Sequence, residues 1–201
     1  MENSAQSSLS ESILKYVPHF NSDTLQIGIE KFELIDVKAK TIIQEKGDVS
    51  RYLYFAENSL SRCFFDDEKG EEQTLWIKPE QTFFTDYKSF VSQQPSQFGL
   101  QLYEDTLAYR ISRENLLELY QNHQDWASFG IFLTEMLHVV LIDVFVNLLA
   151  NDATRNYEYI QYAFPRFIQV APLKDIASML QMSPVSLSRI RAGKQTKGYS
   201  K

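Results

Sequence analysis

The segment LKDIASMLQMSPVSLSRIR, running from Leu173 to Arg191, decides how this chain is read. Its first half places Leu173, Ile176, Ala177 and Leu180 at helical spacing on one face, predicting a helix over Leu173 to Leu180. Ala177 is small where two helices must cross closely. A turn follows, Gln181-Met182-Ser183, with apolar Met182 plugging the corner. Ser183 is a helix N-cap, and Pro184 takes the first helical position, where a missing N–H costs nothing. The helix predicted over Pro184 to Ala192 buries Leu187 and Ile190 and turns Ser186, Ser188, Arg189 and Arg191 outward. Two short helices, a tight turn and a polar, basic second helix make the helix-turn-helix pattern that enters a DNA major groove. Ser183 and Ser186 lie where a helix dipole and free N–H groups favour a phosphate. Arg189 projects where a bidentate contact to guanine is the commonest specific reading. Lys194, Lys197 and Lys201 extend the basic run beyond Arg191 and add salt-dependent phosphate attraction. The candidate DNA contacts are therefore Ser183, Ser186, Ser188, Arg189, Arg191 and Lys194. A plain helical hairpin with a solvated basic surface is the alternative.

Charge outside this segment sharpens the choice. The 201 residues sum to −6, but residues 1–154 carry 12 basic and 24 acidic side chains. Residues 155–201 carry Arg155, Arg166, Lys174 and the five cations already named beyond residue 188, against Glu158 and Asp175 alone. An acidic body joined to a basic end points to nucleic acid or an anionic surface, with a solvated Lys-rich terminus as the bland reading.

Between Phe32 and Ile111 the texture is different. Short β-branched and aromatic runs (Phe32 to Ile35, Thr41 to Ile43, Tyr52 to Phe55, Arg62 to Phe65, Gln73 to Ile77, Gln97 to Tyr103 and Leu107 to Ile111) alternate with turn signals such as Lys46-Gly47-Asp48 and Asp66 to Gly70. Runs this short and regularly spaced predict an antiparallel sandwich or jelly-roll barrel. Ahead of it, Leu9, Ile13, Leu14 and Val17 predict a short helix that Pro18 interrupts. After Ser112 the period becomes helical: a helix over Arg113 to His123 capped by Ser112, then a long one over Asp125 to Ala150, then Ala153 to Phe164, ended by Pro165.

The long helix is apolar nearly all round. Phe129, Leu133, Met136 and Val140 form one stripe, and Leu137, Leu141, Val144 and Leu148 form another beside it. A single small barrel covers only one side of such a helix. The same helix from a second subunit is the simplest cover, with Phe129, Phe132, Leu133, Met136 and Val140 as the expected seam; one wide stripe buried within the monomer is the alternative. Ile131 to Ala150 is membrane-length, but Glu135 and Asp143 in mid-span are expensive in lipid. Residues 1–12 show no apolar core, so no signal peptide is read and the protein is expected to be cytoplasmic, with no membrane partner.

In these stretches the chain resembles the Crp/Fnr family of bacterial transcription regulators, particularly short members of the Bacteroidetes type. The resemblance runs from about Leu9 to Arg191. It rests on Gly47-Asp48 with Tyr52 to Phe55, Thr82 to Tyr87, Glu104-Asp105-Thr106 with Ile111-Ser112-Arg113, and Ile176-Ala177 through Ser183 to Ile190. It implies an α+β chain: a jelly-roll like a cyclic-nucleotide-binding domain over residues 1–124, a dimerisation helix over 125–150 and a helix-turn-helix DNA-binding domain over 151–201. It also implies a homodimer that reads two-fold double-stranded DNA, with RNA polymerase as a further partner and no enzymatic activity.

Departures from the family pattern set further expectations. The family's phosphate cassette holds a Gly-Glu pair and then an Arg beside a Ser or Thr. Aligned without gaps back from Ile111, these positions are Thr85, Asp86, Ser96 and Gln97. With the Arg position held by Ser96 and Asp86 nearby, a cyclic phosphate lacks its counter-charge, so gating by cyclic nucleotide is not expected. The glycine expected before the next strand is replaced by Ser59. In the second helix of the pair, the family's base-reading Arg and Glu are replaced by Pro184 and Val185, leaving Arg189 at the third position. The chain also stops soon after Arg191, before the family's β-hairpin wing. Those losses favour a second reading, a sensory barrel with a decayed helix-turn-helix that signals through a protein partner.

No cofactor or metal is expected, and any small-molecule effector is left unidentified. One cysteine, Cys63, excludes a disulfide and cysteine-built clusters within one chain, and it reads as a packing residue with Arg62 on the opposite strand face. His19, His123 and His138 are far apart. With no histidine between Phe32 and Ile111, a cupin-like barrel enzyme lacks its ligands.

Overall fold

A computed structural model describes residues 2–193. The β-rich stretch forms eight strands: β1 (Glu33–Val37), β2 (Ile42–Gln44), β3 (Tyr52–Ala56), β4 (Ser61–Asp66), β5 (Glu72–Lys78), β6 (Thr82–Phe84), β7 (Gly99–Leu102) and β8 (Thr106–Ser112). They make two antiparallel four-stranded sheets, ordered β1-β8-β3-β6 and β2-β7-β4-β5. This is the jelly-roll sandwich that the spacing of the runs predicts. Two-residue periodicity assigns each side chain a layer. On β3, Tyr54 and Ala56 face Cys63, Phe84, Leu100, Leu102 and Ala108 between the sheets, while Leu53 and Phe55 face outward into a second core.

That second core is built with helices α1 (Glu2–Leu14), α2 (Ser22–Ile29), α4 (Arg113–Asn122) and the start of α5 (Gln124–Ala150). Leu9, Ile13, Phe20, Phe83, Leu116, Leu119, Trp126 and Phe129 meet there. The sequence reading lacks α2, α3 (Tyr87–Ser92), α7 (Pro165–Val170) and β6. Helix α2 is only eight residues long and depends on its surroundings. Asn21 caps it by accepting from the backbone of Asp23 and Thr24, and Trp126 Nε1 donates to its Thr24 carbonyl at 2.9 Å. Gly28 is required here, because a Cβ at that position would fall inside the Trp126 indole.

Helix α5 leaves the body partway along its length. Trp126, Phe129 and Leu133 are buried, but Phe132, Met136 and Val140 are 46, 51 and 50 % exposed. Two of the five residues expected at a subunit seam, Phe129 and Leu133, are thus corrected to the chain's own core. The body fills one side of the first three turns; beyond them Leu137 and Leu148 stay partly buried against the chain's own cores, and most of the other apolar side chains are exposed among the described residues. By length and composition α5 could cross a membrane, with Glu135 and Asp143 within the span. Helix α6 (Ala153–Ala163), α7, α8 (Leu173–Met179) and α9 (Pro184–Arg191) follow. They share a third core with Leu60, Ile77 and Tyr103 from the outer face of the β2-β7-β4-β5 sheet.

Candidate nucleic-acid interface

The α8–α9 pair is fixed by its caps. Helix α8 ends with Gln181 in the left-handed region (φ 55°). Met182 N–H donates to the Ala177 carbonyl and Gln181 N–H to that of Ser178. Together these form a Schellman ending, and the Met182 side chain packs back on the core. Ser183 Oγ accepts from Ser186 N–H at 3.1 Å and lies 2.8 Å from Ser186 Oγ, so one hydroxyl proton of the pair is left to point outward. Leu187 is fully buried and Ala177 is too, as a close helix crossing demands. Ser183, Ser186, Ser188, Arg189 and Arg191 are all exposed on one element. Among the described residues neither arginine is in an ion pair with the chain. Lys194, the sixth expected contact, lies outside the described residues, as do Lys197 and Lys201.

The sequence reading missed the seat that holds this pair against the barrel. Asp175 on α8 is buried and ion-paired to Arg62 of β4 at 3.0 Å, and it accepts from Tyr103 Oη at 3.0 Å. Burial, and then the neighbouring Asp175 charge, pushes the Tyr103 phenol well above its ordinary value. Arg62 also donates to Glu72 at 2.6 Å and to Gln101 at 2.7 Å. About one helical turn further along, Ser178 Oγ accepts from Thr74 N–H and donates to Gln73. Arg166, counted by sequence with the basic end, is held by Glu80 and Glu104 at 2.8 and 2.7 Å. One signal was available in the sequence: Asp175 adjoins Ile176 and Ala177 on a helix whose apolar face needs cover.

The barrel interior brings three of the four cassette positions together and seals them. Ser96 Oγ donates to Asp86 at 2.6 Å, and Asp86 caps α3 by accepting from Lys88 N–H. Thr85 Oγ1 donates to the Tyr52 carbonyl and contacts Ser50, which donates to Gln44. Gln97 is exposed and apart from this network. Cys63 is buried between the sheets and Arg62 points away from it into the α8 seat. Burial, reinforced by Asp86, pushes the thiol well up, so it is held as neutral SH. Lys78, over the Trp76 ring, is the cation sequence reasoning passed over. Burial brings its ammonium down to about 8, and it donates to the Phe83 carbonyl at 3.4 Å. Arg110 lies over Tyr52 and pairs with Glu33 at 2.7 Å beside an open cleft of about 300 Å³ lined by Gln44, Asp48, Arg51 and Tyr54.

No protein-family model matches this sequence, and no curated protein matches it. Solved structures of Crp/Fnr-family regulators do share its fold. The c-di-GMP responsive global regulator CLP of Xanthomonas campestris superposes with a TM-score of 0.63 at 14 % identity, covering 89 % of this chain and 96 % of that one. FixK2 of Bradyrhizobium japonicum gives 0.63 at 14 %, covering 85 % and 89 %. The catabolite activator protein of Thermus thermophilus gives 0.54 at 18 %, covering 90 % and 85 %. The likeness therefore extends through the barrel, the long helix and the C-terminal helices, and it fixes the fold.

Proposed function

We propose that this chain is a DNA-binding transcription regulator of the Crp/Fnr type, acting as a homodimer and not gated by cyclic nucleotide. The observation that carries the reading is the α8–α9 pair. It presents a capped helix N-terminus and two exposed arginines, while the acidic residue of α8 is turned away into the barrel. In this reading Ser183 and Ser186 hold a phosphate, Ser188 and Arg189 face base edges, and Arg191 and Lys194 add backbone attraction.

The exposed apolar length of α5 supplies the dimer seam through Phe132, Met136 and Val140, joined by Leu141, Val144 and Phe145. Fully burying each such side chain contributes about 1.5–3 kcal/mol, enough in sum to offset the cost of association. A two-fold seam of this kind also accounts for the apolar surface with Glu135 and Asp143 in water rather than lipid, as a cytoplasmic protein requires. Residues 1–124 then act as the sensor-like barrel, 125–150 as the dimer helix and 151–201 as the reading head. Cyclic nucleotide is disfavoured because Ser96 is spent on Asp86, and that carboxylate would oppose a phosphate.

The test is binding of the purified protein to its own upstream DNA across a salt series, with Arg189→Ala beside it. Sequence-preferring binding that weakens with salt and loses its preference in the variant is expected. Equal affinity for all sequences, unchanged in Arg189→Ala, would remove the regulator reading and favour a protein partner instead.

A further inference from the structure

The residues that α9 turns furthest from its own core are not those that read as most polar. Leu187 is fully buried and Ile190 is half-buried, and together they set the inward direction of the helix. At 100° per residue, the ridge opposite them is Val185, Ser188, Arg189 and the capping Ala192. All four are exposed, Val185 at 61 %. Ser186 and Arg191 stand on the flanks, where the sugar–phosphate walls of a groove lie. Residues 183–193 contain no Asp or Glu. The outermost ridge therefore offers one guanidinium, one hydroxyl and two apolar groups, with no carboxylate to accept from a cytosine amine.

From this arrangement we infer that Val185 is a base-reading residue that selects thymine through its 5-methyl group, in the half-site whose guanine Arg189 reads. The inference rests on the DNA-binding reading proposed for α9 and gives that site its sequence. A branched apolar side chain on the groove-facing ridge meets only one apolar feature on base edges in a major groove, the thymine methyl. A position in the first turn of the helix also suits it, because the N-terminal residues of such a helix reach deepest toward base edges. Val185 and Arg189 are one helical turn apart, a separation of about 6 Å along the axis. With base pairs stacked about 3.4 Å apart, the thymine falls one or two base pairs from the guanine.

The experiment uses the full chain and a preferred site selected from random duplexes, read by fluorescence anisotropy. Each thymine in a half-site is replaced in turn by deoxyuracil, which removes the methyl and leaves every hydrogen-bonding group in place. One thymine within two base pairs of the Arg189-dependent guanine is expected to lose about fourfold in affinity per half-site, the worth of one buried methyl. Val185→Ala is expected to bind the thymine and deoxyuracil duplexes equally. Exchanging that thymine pair for a cytosine pair should weaken wild-type binding, and 5-methylcytosine at the same place should restore part of it. Affinity unchanged by every deoxyuracil substitution would overturn the inference, as would discrimination that survives in Val185→Ala. Both outcomes leave Arg189-dependent binding standing. If no preferred site emerges and Arg189→Ala binds as wild type does, the parent reading fails and this one fails with it.

Discussion

Asp175→Asn removes one charge from the seat beneath the α8–α9 pair and leaves the side-chain volume in place. In the folded chain Asp175 meets Arg62 at 3.0 Å and the Tyr103 hydroxyl at 3.0 Å, with Arg62 and Asp175 side chains only 7 and 6 % exposed. Breaking a buried pair by neutralising one partner costs about 3–5 kcal/mol, because the other charge is left in a poor solvent. Here the low end applies, about 3 kcal/mol, since Arg62 keeps Glu72 at 2.6 Å and so is not fully orphaned. Urea denaturation at pH 7 reads the loss directly. Arg62→Met combined with Asp175→Leu should recover most of it, because apolar side chains of similar volume fill such a site without desolvated charge. DNA affinity separates this seat from the base-reading surface proposed on α9. Arg189→Ala should weaken binding at wild-type stability, while Asp175→Asn should weaken binding only to the extent that α8 leaves the barrel. A stability within about 0.5 kcal/mol of wild type for Asp175→Asn, the range of an ordinary surface substitution, would refute the seat.

Burial holds Lys78 near 8, below its unfolded value of about 10.4, so between those values the unfolded chain binds the extra proton and this site's contribution to stability rises with pH. Lys78→Met should accordingly stabilise by roughly 3 kcal/mol at pH 7, a gain that fades by about pH 10.5; equal gains at pH 7 and 10 in thermal melts would contradict it. Leu141→Glu, on the exposed length of α5, should convert a dimer into a monomer in sedimentation at tens of micromolar, with the barrel's melting unchanged. Gln181→Gly relieves a non-glycine residue at φ 55° and should raise stability by about 0.5–1 kcal/mol, measured by urea midpoint; a decrease would show that the Gln side chain matters more than its backbone. Titration calorimetry with cyclic AMP or cyclic GMP should show no binding heat, and micromolar affinity would overturn the reading of Ser96 and Asp86.

Local rules made seven of the eight strands and both helices of the α8–α9 pair legible. Tyr52 to Phe55 alternates faces in two directions because both faces of β3 are buried, and Ser183-Pro184 marks a helix start by cap chemistry alone. Elements that depend on distant partners were not legible. Helix α2 has little reason to form from its own eight residues, and it exists because Trp126, about a hundred residues on, hydrogen-bonds its backbone and fits against Gly28. Periodicity also gave the face of α5 but not how far along it the body reaches. Phe129, Leu133, Met136 and Val140 share one stripe, and only packing divides them into a buried pair and an exposed pair.

Charge carries the same lesson further, because a cation in a sequence is a binding group only if the fold does not use it first. The basic excess of residues 155–201 is a sum over side chains in unlike situations. Arg166 is taken by Glu80 and Glu104, and the acidic Asp175 is taken by Arg62 in return. This exchange pins the C-terminal helices to the barrel with charges of both signs and leaves the net value unchanged. What it changes is where the remaining charge sits. Arg189 and Arg191 stay free of ion pairs among the described residues, on a helix whose N-terminus Ser183 caps. The free positive charge is therefore concentrated on the α9 face for which base reading is proposed, and the ion pairs that look like losses to that charge are what hold the face in position.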